Sequence, residues 1–151
     1  AEAFASLQSQ AHLIYVGSGM LEDELKKRFD SNPNIHFVGF QNQSKMPIWY
    51  RVADVFCLPS RGPGETWGLA VNEALACGCS VIVSDRVGCA EDLVKGKSLG
   101  AVFSWNNIEE LGATISHAEN LLSKDKTQIT GDQIGSIQKV CDCITGILNK
   151  I

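Results

Sequence analysis

The sequence predicts an α/β domain built on a parallel sheet with helices on both faces. Three observations predict it. Short runs rich in Val, Ile, Leu and Phe alternate with helical patterns along the chain. Those runs are continuously apolar, which suits strands covered on both faces rather than strands with one wet side. Nearly all end in Gly, Ser, Pro or Asp, the residues that turn a chain out of a sheet.

The strands are expected at "HLIYVG" (12–17), "NIHFVGF" (34–40), "DVFCLPS" (54–60), "SVIVSD" (80–85) and "LGAVFS" (99–104). Between the first two lies "MLEDELKKRF", with Leu21, Leu25 and Phe29 on one face. Its acids Glu22, Asp23 and Glu24 come first and its bases Lys26, Lys27 and Arg28 last, which matches the helix dipole and spaces three ion pairs at i,i+4. "SKMPIWYRVA" (44–53) reads as a shorter helix with Pro47 near its start. A third helix follows Trp67 and stops at Gly78. "NNIEELGATISHAENLLS" (106–123) and "QIGSIQKVCDCITGILNKI" (133–151) read as longer amphipathic helices joined by the polar stretch 124–132. Strand–helix alternation of this kind gives a Rossmann-like fold with right-handed crossovers. No internal repeat or linker interrupts it, so residues 1–151 are expected to form a single domain.

The totals narrow the function classes. At 44% hydrophobic, 20% charged and net charge −4, the chain has an ordinary globular balance. It has no basic stripe for nucleic acid or an anionic membrane. No run reaches the 18 apolar residues of a membrane span, and no signal peptide is visible. A cytoplasmic location, or one at the inner membrane face, is therefore expected. The chain lacks an initiator Met, which suggests a piece of a longer protein. Cys57, Cys77, Cys79, Cys89, Cys141 and Cys143 show no C-x₂-C spacing and no neighbouring His, so buried reduced thiols are expected rather than a metal site.

In an open parallel sheet, ligands lie at the carboxyl ends of the strands. Gly17-Ser18-Gly19, Gly39-Phe40, Pro59 through Glu65 and Ser84-Asp85 follow those ends and are expected to share one crevice. Gly17-x-Gly19 lacks the third glycine of a dinucleotide fingerprint, because position 22 is Glu, and no P-loop motif occurs. The stretch "GPGETWGLAVNEALACG" (62–78) is more specific. A turn-prone Gly62-Pro63-Gly64 loop precedes a helix that starts near Gly68. The N–H groups of Trp67, Gly68 and Leu69 should therefore be free, forming an anion site suited to phosphate. Glu65 lies just before that start and Glu73 two turns inside. Singly, Glu65 reads as an N-terminal helix acid and Glu73 as a polar surface residue. Together they suit another purpose: a carboxylate accepts two vicinal hydroxyls through charge-assisted bonds. A diphosphate flanked by polyols, a nucleotide sugar, would satisfy all three features.

These residues resemble the nucleotide-binding half of retaining GT-B glycosyltransferases, family 4 in particular. That family's E-x₇-E motif, roughly E-x-F-G-L-x-x-x-E-A-x-A-x-G, stands here as Glu65-Thr66-Trp67-Gly68-Leu69-Ala70-Val71-Asn72-Glu73-Ala74-Leu75-Ala76-Cys77-Gly78. "YVGSGMLEDELKKR", "NIHFVGF", "ADVFCLPS" and "SVIVSDRVGCAEDLV" are similar in register, so the resemblance covers residues 11 to about 116. It implies that Glu73 binds the ribose hydroxyls and Glu65 the hydroxyls of the transferred sugar. It places the amides of Trp67, Gly68 and Leu69, in the loop with Thr66, on the donor sugar and diphosphate. Gly39-Phe40 would flank the base, and Gly17, Ser18 and Gly19 would border the pocket. The implied donor is a UDP-sugar by default, with no cofactor and no metal, since no D-x-D occurs. An acceptor glycan or lipid would bind an N-terminal domain that is absent here.

Three positions depart from the pattern. Trp67 replaces the usual Phe, Cys79-Ser80-Val81 replaces x-Pro-Val, and Cys89 replaces a second Gly after Gly88. The family's diphosphate-binding Arg and Lys would precede residue 1, and no Lys or Arg lies between Gly62 and Asp85; Arg61 and Arg86 flank the stretch without matching that pair. His12, His36 and His117 fall in strand or helix patterns and offer no substitute. The chain alone is expected to be nearly inactive, and an apolar stripe on its last helix would let it self-associate. A GT-B epimerase or phosphorylase would need acid/base residues or a cofactor lysine not recognisable here. A non-catalytic nucleotide-sugar-binding module, and a flavodoxin-like regulatory domain using Asp85, remain as alternatives of other classes.

Overall fold

The computed structural model describes residues 1–62 and 64–126, with side chains described through residue 120. The helix expected at 133–151, with Cys141, Cys143 and the apolar stripe, lies outside the described residues, as does Pro63. The described residues group into two compact units. One comprises Ala1–Gln10 and Asn42–Ala118, and the other contains Ala11–Gln41.

In the larger unit, α1 (Glu2–Ala5) precedes α3 (Met46–Val52), β3 (Val55–Leu58), α4 (Leu69–Ala76), β4 (Ser80–Ser84), β5 (Gly100–Phe103) and, as far as Ala118, α5 (Ile108–Lys126). The three strands pair in parallel in the order β3-β4-β5, with Val55 opposite Ser80 and Val81 opposite Gly100. The central strand is the most deeply buried: Val81, Ile82, Val83 and Ser84 are all at most 2% exposed. That explains its unbroken apolar run, because a middle strand of a covered sheet has no face left for water. The core gathers Val81 and Val83 with Val71 and Ala74 of α4, Tyr50 of α3, and Val87, Cys89, Ala90 and Val94 beyond β4.

That last segment differs from the turn read in the sequence. Residues Ala90–Val94 form a short wide helical turn, closed by the Lys95 N–H on the Ala90 carbonyl at 2.9 Å. Five residues are too few for a helical period to show in the sequence. At the start of α5, the Asn107 side chain caps the helix by accepting the Glu110 N–H at 3.0 Å, and the Glu110 carboxylate accepts the Ser104 N–H at 3.1 Å, tying the helix start to the end of β5.

The smaller unit holds β1 (Leu13–Val16), α2 (Glu22–Phe29) and β2 (Ile35–Gly39). Its strands are parallel, with Leu13 opposite Ile35 and a register shift between Tyr15 and Val16. Tyr15 and Phe37 stack at 5.1 Å. Within α2 the Glu22–Lys26 pair closes at 2.8 Å. Its expected apolar face is only partly used: Leu25 and Phe29 are half-buried and Leu21 is 61% exposed. Two short strands give a helix little sheet to cover. Among the described residues, no helix is long and apolar enough to cross a membrane.

Candidate functional site

The parallel pairing of β3 and β4 brings their carboxyl ends side by side. Buried Ser84 ties them: its Oγ donates to the Ser60 carbonyl at 2.6 Å, and so joins the loop after β3 to the end of β4. The chain leaving β3 runs through Arg61 and Gly62 to Glu65–Gly68 before α4 begins. The chain leaving β4 runs through Asp85 and Arg86 to Val87–Cys89. These two loops meet, and their meeting shapes the candidate site.

Gly68 takes a left-handed conformation (φ 98°, ψ 55°) immediately before α4. A side chain there would be doubly excluded, because a Cβ would also lie 2.7 Å from Val87 Cγ1. Gly88 answers from the other loop. A Cβ on it would lie 1.9 Å from the Thr66 carbonyl oxygen, so only glycine lets the two backbones touch. Beside it the Cys89 N–H donates to the Trp67 carbonyl at 2.8 Å, and the buried Cys89 Sγ reaches the Gly68 carbonyl at 4.0 Å. The cysteine that stands in place of the family's second glycine thus packs beneath the loop.

This clamp holds the Thr66–Gly68 backbone while leaving its donors free. Among the described residues, no acceptor meets the N–H groups of Trp67, Gly68 or Leu69. Trp67 and Leu69 are exposed, at 41% and 71%, whereas Gly68 is buried. Free amides at a helix start carry the positive end of the helix dipole and suit an anion. Trp67 is held by its own helix, its Nε1–H donating to Asn72 Oδ1 at 3.0 Å.

The two carboxylates are placed differently. Glu65 is half-buried, and its carboxylate has no hydrogen-bond partner among the described residues. Glu73, also half-buried, is bonded through both oxygens. Gln43 Nε2 donates to Oε1 at 2.5 Å, and the Tyr50 hydroxyl donates to Oε2 at 3.1 Å. Burial, together with the bond to the Glu73 carboxylate, pushes the Tyr50 phenol up to about 12, so it remains a donor at any physiological pH. Neither Tyr50 nor Gln43 was singled out from the sequence. They lie more than twenty residues from Glu73 and carry no motif, and only the packing of α3 on α4 joins them.

Gly17, Ser18, Gly19, Gly39 and Phe40 belong to the smaller unit, at the ends of β1 and β2. Gly17 and Gly39 both have positive φ, and the Gly17 N–H donates to the Gly39 carbonyl at 2.8 Å. Ser18 and Gly19 are exposed, and Phe40 is 76% exposed.

Four of the cysteines are free thiols: Cys57, Cys77, Cys79 and Cys89. Burial pushes Cys57 and Cys79 up to about 11, and the Cys79 thiol donates to the Tyr50 carbonyl at 2.8 Å. Cys79 and Cys89 are the buried packing groups expected from the sequence, whereas Cys57 and Cys77 are half-buried. Asp85, the residue on which a regulatory reading would rest, accepts the Trp105 N–H at 3.0 Å, while Arg86 lies 5.5 Å over the Trp105 ring.

Comparison with known proteins fits this geometry. The family model "Glycosyl transferases group 1" matches residues 1–131. The chain is 34% identical over 86 residues to D-inositol 3-phosphate glycosyltransferase 2 of Catenulispora acidiphila, a match covering 54% of this chain and 20% of that protein. It is 40% identical over 80 residues to the lipopolysaccharide core biosynthesis mannosyltransferase LpsB of Rhizobium meliloti, covering 51% and 21%. The matched stretch therefore spans about a fifth of these relatives' length. Among solved structures, Anabaena Alr3699/HepE in complex with UDP and glucose superposes with a TM-score of 0.68 at 22% identity, covering 99% of this chain and 43% of that one.

Proposed function

Because this chain belongs to the glycosyl transferases group 1 family and has a GT-B-type α/β fold, we propose that it is the donor-binding part of a retaining, family 4-like glycosyltransferase. The observation that carries the reading is the start of α4: amides at Trp67, Gly68 and Leu69 that meet no acceptor among the described residues, held by the Gly88 clamp, with Glu65 before them and Glu73 after them along the chain.

In this reading the diphosphate of a nucleotide sugar lies against those amides. As the glycosyl bond breaks, negative charge grows on the departing diphosphate, and donors already in place stabilise it without reorganising. The glycosyl unit passes to the acceptor with its anomeric configuration retained. Glu73 accepts the ribose hydroxyls, and Glu65, whose carboxylate is uncommitted, accepts hydroxyls of the transferred sugar. Gly17, Ser18, Gly19, Gly39 and Phe40 are assigned to the rest of the donor by their motif positions. A single donor-binding domain is part of this reading. UDP-sugar is the donor favoured, a choice supported by the UDP bound in the Anabaena neighbour. The reading requires no metal or cofactor. It places the acceptor, a glycan or lipid, on another part of the full-length protein, working in the cytoplasm or at its membrane face.

Ligand-observed NMR on this chain with UDP, GDP, ADP and CMP tests the reading. Saturation transfer to one nucleotide, lost in Glu73→Gln, is the expected result and names the base. Glu73→Gln should weaken the nucleotide several-fold, while Glu65→Gln should affect the nucleotide sugar more than the bare nucleotide. Equal effects of both variants on UDP would overturn that division of roles. A longer form of the protein that still binds no nucleotide would overturn the assignment itself.

A further inference from the structure

Glu73 already holds two hydrogen bonds from the protein, and its two donors differ in kind. Tyr50 is 5% exposed and held at its ring, its hydroxyl and its carbonyl. Its ring meets Phe56 edge-on at 5.5 Å, its carbonyl accepts the Cys79 thiol at 2.8 Å, and it is the buried residue of α3. Gln43 is exposed, in the turn before α3 that Asn42 shapes by accepting the Ser44 N–H at 3.2 Å. A buried phenol that lost its acceptor would be stranded without water. An exposed amide that lost its acceptor would simply hydrate.

We propose that Tyr50 is a positioning residue that fixes the Glu73 carboxylate for a vicinal diol, and that the Gln43 amide is a placeholder which the diol displaces. The inference rests on the reading of Glu73 as the ribose acceptor and adds how that acceptor is aimed and kept ready. The lone-pair count supports it. An ionised carboxylate offers about four acceptor sites. With Tyr50 on Oε2, release of Gln43 frees Oε1 and leaves a further site on Oε2, enough for both hydroxyls of a ribose. A carboxylate swinging free would first have to be ordered, so a fixed one binds more tightly for the same contacts.

The two residues therefore act on affinity in opposite directions. Tyr50→Phe keeps the packed ring and removes only the hydroxyl. It should weaken a ribonucleotide about fivefold, the usual size of one lost hydrogen bond, and erase its advantage over the 2′-deoxy form. Gln43→Ala removes the competitor and should tighten the ribonucleotide about two- to threefold, leaving the deoxy form unchanged.

Titration calorimetry on this chain with UDP and GDP, each against its 2′-deoxy form, reads both effects. Near-ultraviolet circular dichroism confirms that each variant is folded. If Tyr50→Phe does not fold, Gln43→Ala and the wild-type preference for ribose still decide. Tyr50→Phe weakening both sugar forms alike would mean a structural role only and overturn the proposal, as would Gln43→Ala weakening UDP or GDP. A wild-type chain that binds a nucleotide but ignores its 2′-hydroxyl, or a Glu73→Gln variant that binds as wild type, would instead sink the reading on which the proposal stands.

Discussion

The two carboxylates of the motif belong to one short stretch of chain, yet the fold treats them in opposite ways. Glu65 sits in a loop whose backbone is clamped, while its side chain meets no hydrogen-bond partner among the described residues. Glu73 sits on a regular helix and has both oxygens engaged, one by a buried phenol. At the loop, precision comes from backbone contact: Gly88 against Thr66, Cys89 against Trp67, Gly68 against Val87. At the helix it comes from side-chain hydrogen bonds. A site can thus present one carboxylate that adapts to its ligand and one that waits in a set position.

The hardest test of this contrast is Gly88→Ala. Its methyl would overlap the Thr66 carbonyl, and the two loops must part to admit it. We expect a loss of about 3 kcal/mol in urea unfolding, the upper range for overpacking, with nucleotide binding lost at the same time. Next comes a direct comparison of the two acids. Glu73→Ala strands the buried Tyr50 hydroxyl and should cost about 2 kcal/mol. Glu65→Ala should cost less than about 0.5 kcal/mol, as for a side chain that meets no partner among the described residues. Equal losses would erase the distinction between them.

A smaller effect should appear at alkaline pH. Tyr50 has a folded value near 12, above its ordinary value of 10.0. Its contribution is complete below pH 10 and is lost as pH rises through 12, when a phenolate would face the Glu73 carboxylate. The urea midpoint of the wild type should fall faster over that window than that of Tyr50→Phe. Smallest of all is Trp67→Phe. It removes the indole bond to Asn72 on an exposed turn and should cost about 0.5 kcal/mol, read by the same unfolding titration.

What the sequence could disclose follows from which signals are local. The strands were legible as short, mostly apolar runs, although the burial on both faces that such runs suggest is reached only in β4, while β1 and β3 are half-buried throughout. The observed β1 to β5 fall inside the expected runs, and the start of α4 was marked by Gly68 and the small residues after it. The free amides at that start followed from helix geometry alone. The partners of Glu73 were not legible, because Gln43 and Tyr50 reach it only through the packing of α3 beside α4. Gly88 could be read as a glycine in a turn, but not as the one point where two backbones touch. Cys89 looked like a departure from a pattern; its reason is the space under Gly68, which no single sequence displays.

That space has a kinetic consequence. Cys89 is fully buried beneath the loop, and burial raises its thiol above the ordinary value, so a reagent reaches it when the packing around it opens, and lifting of the Thr66–Gly68 backbone is one such opening. Its alkylation rate therefore counts the openings of that loop, much as amide exchange counts local unfolding elsewhere. A nucleotide sugar lying across the loop would hold it down, and the thiol would react more slowly in proportion to the fraction of chains occupied. If the proposed reading holds, one thiol side chain, standing where the family commonly has glycine, gives this chain a clock that reports on that ligand.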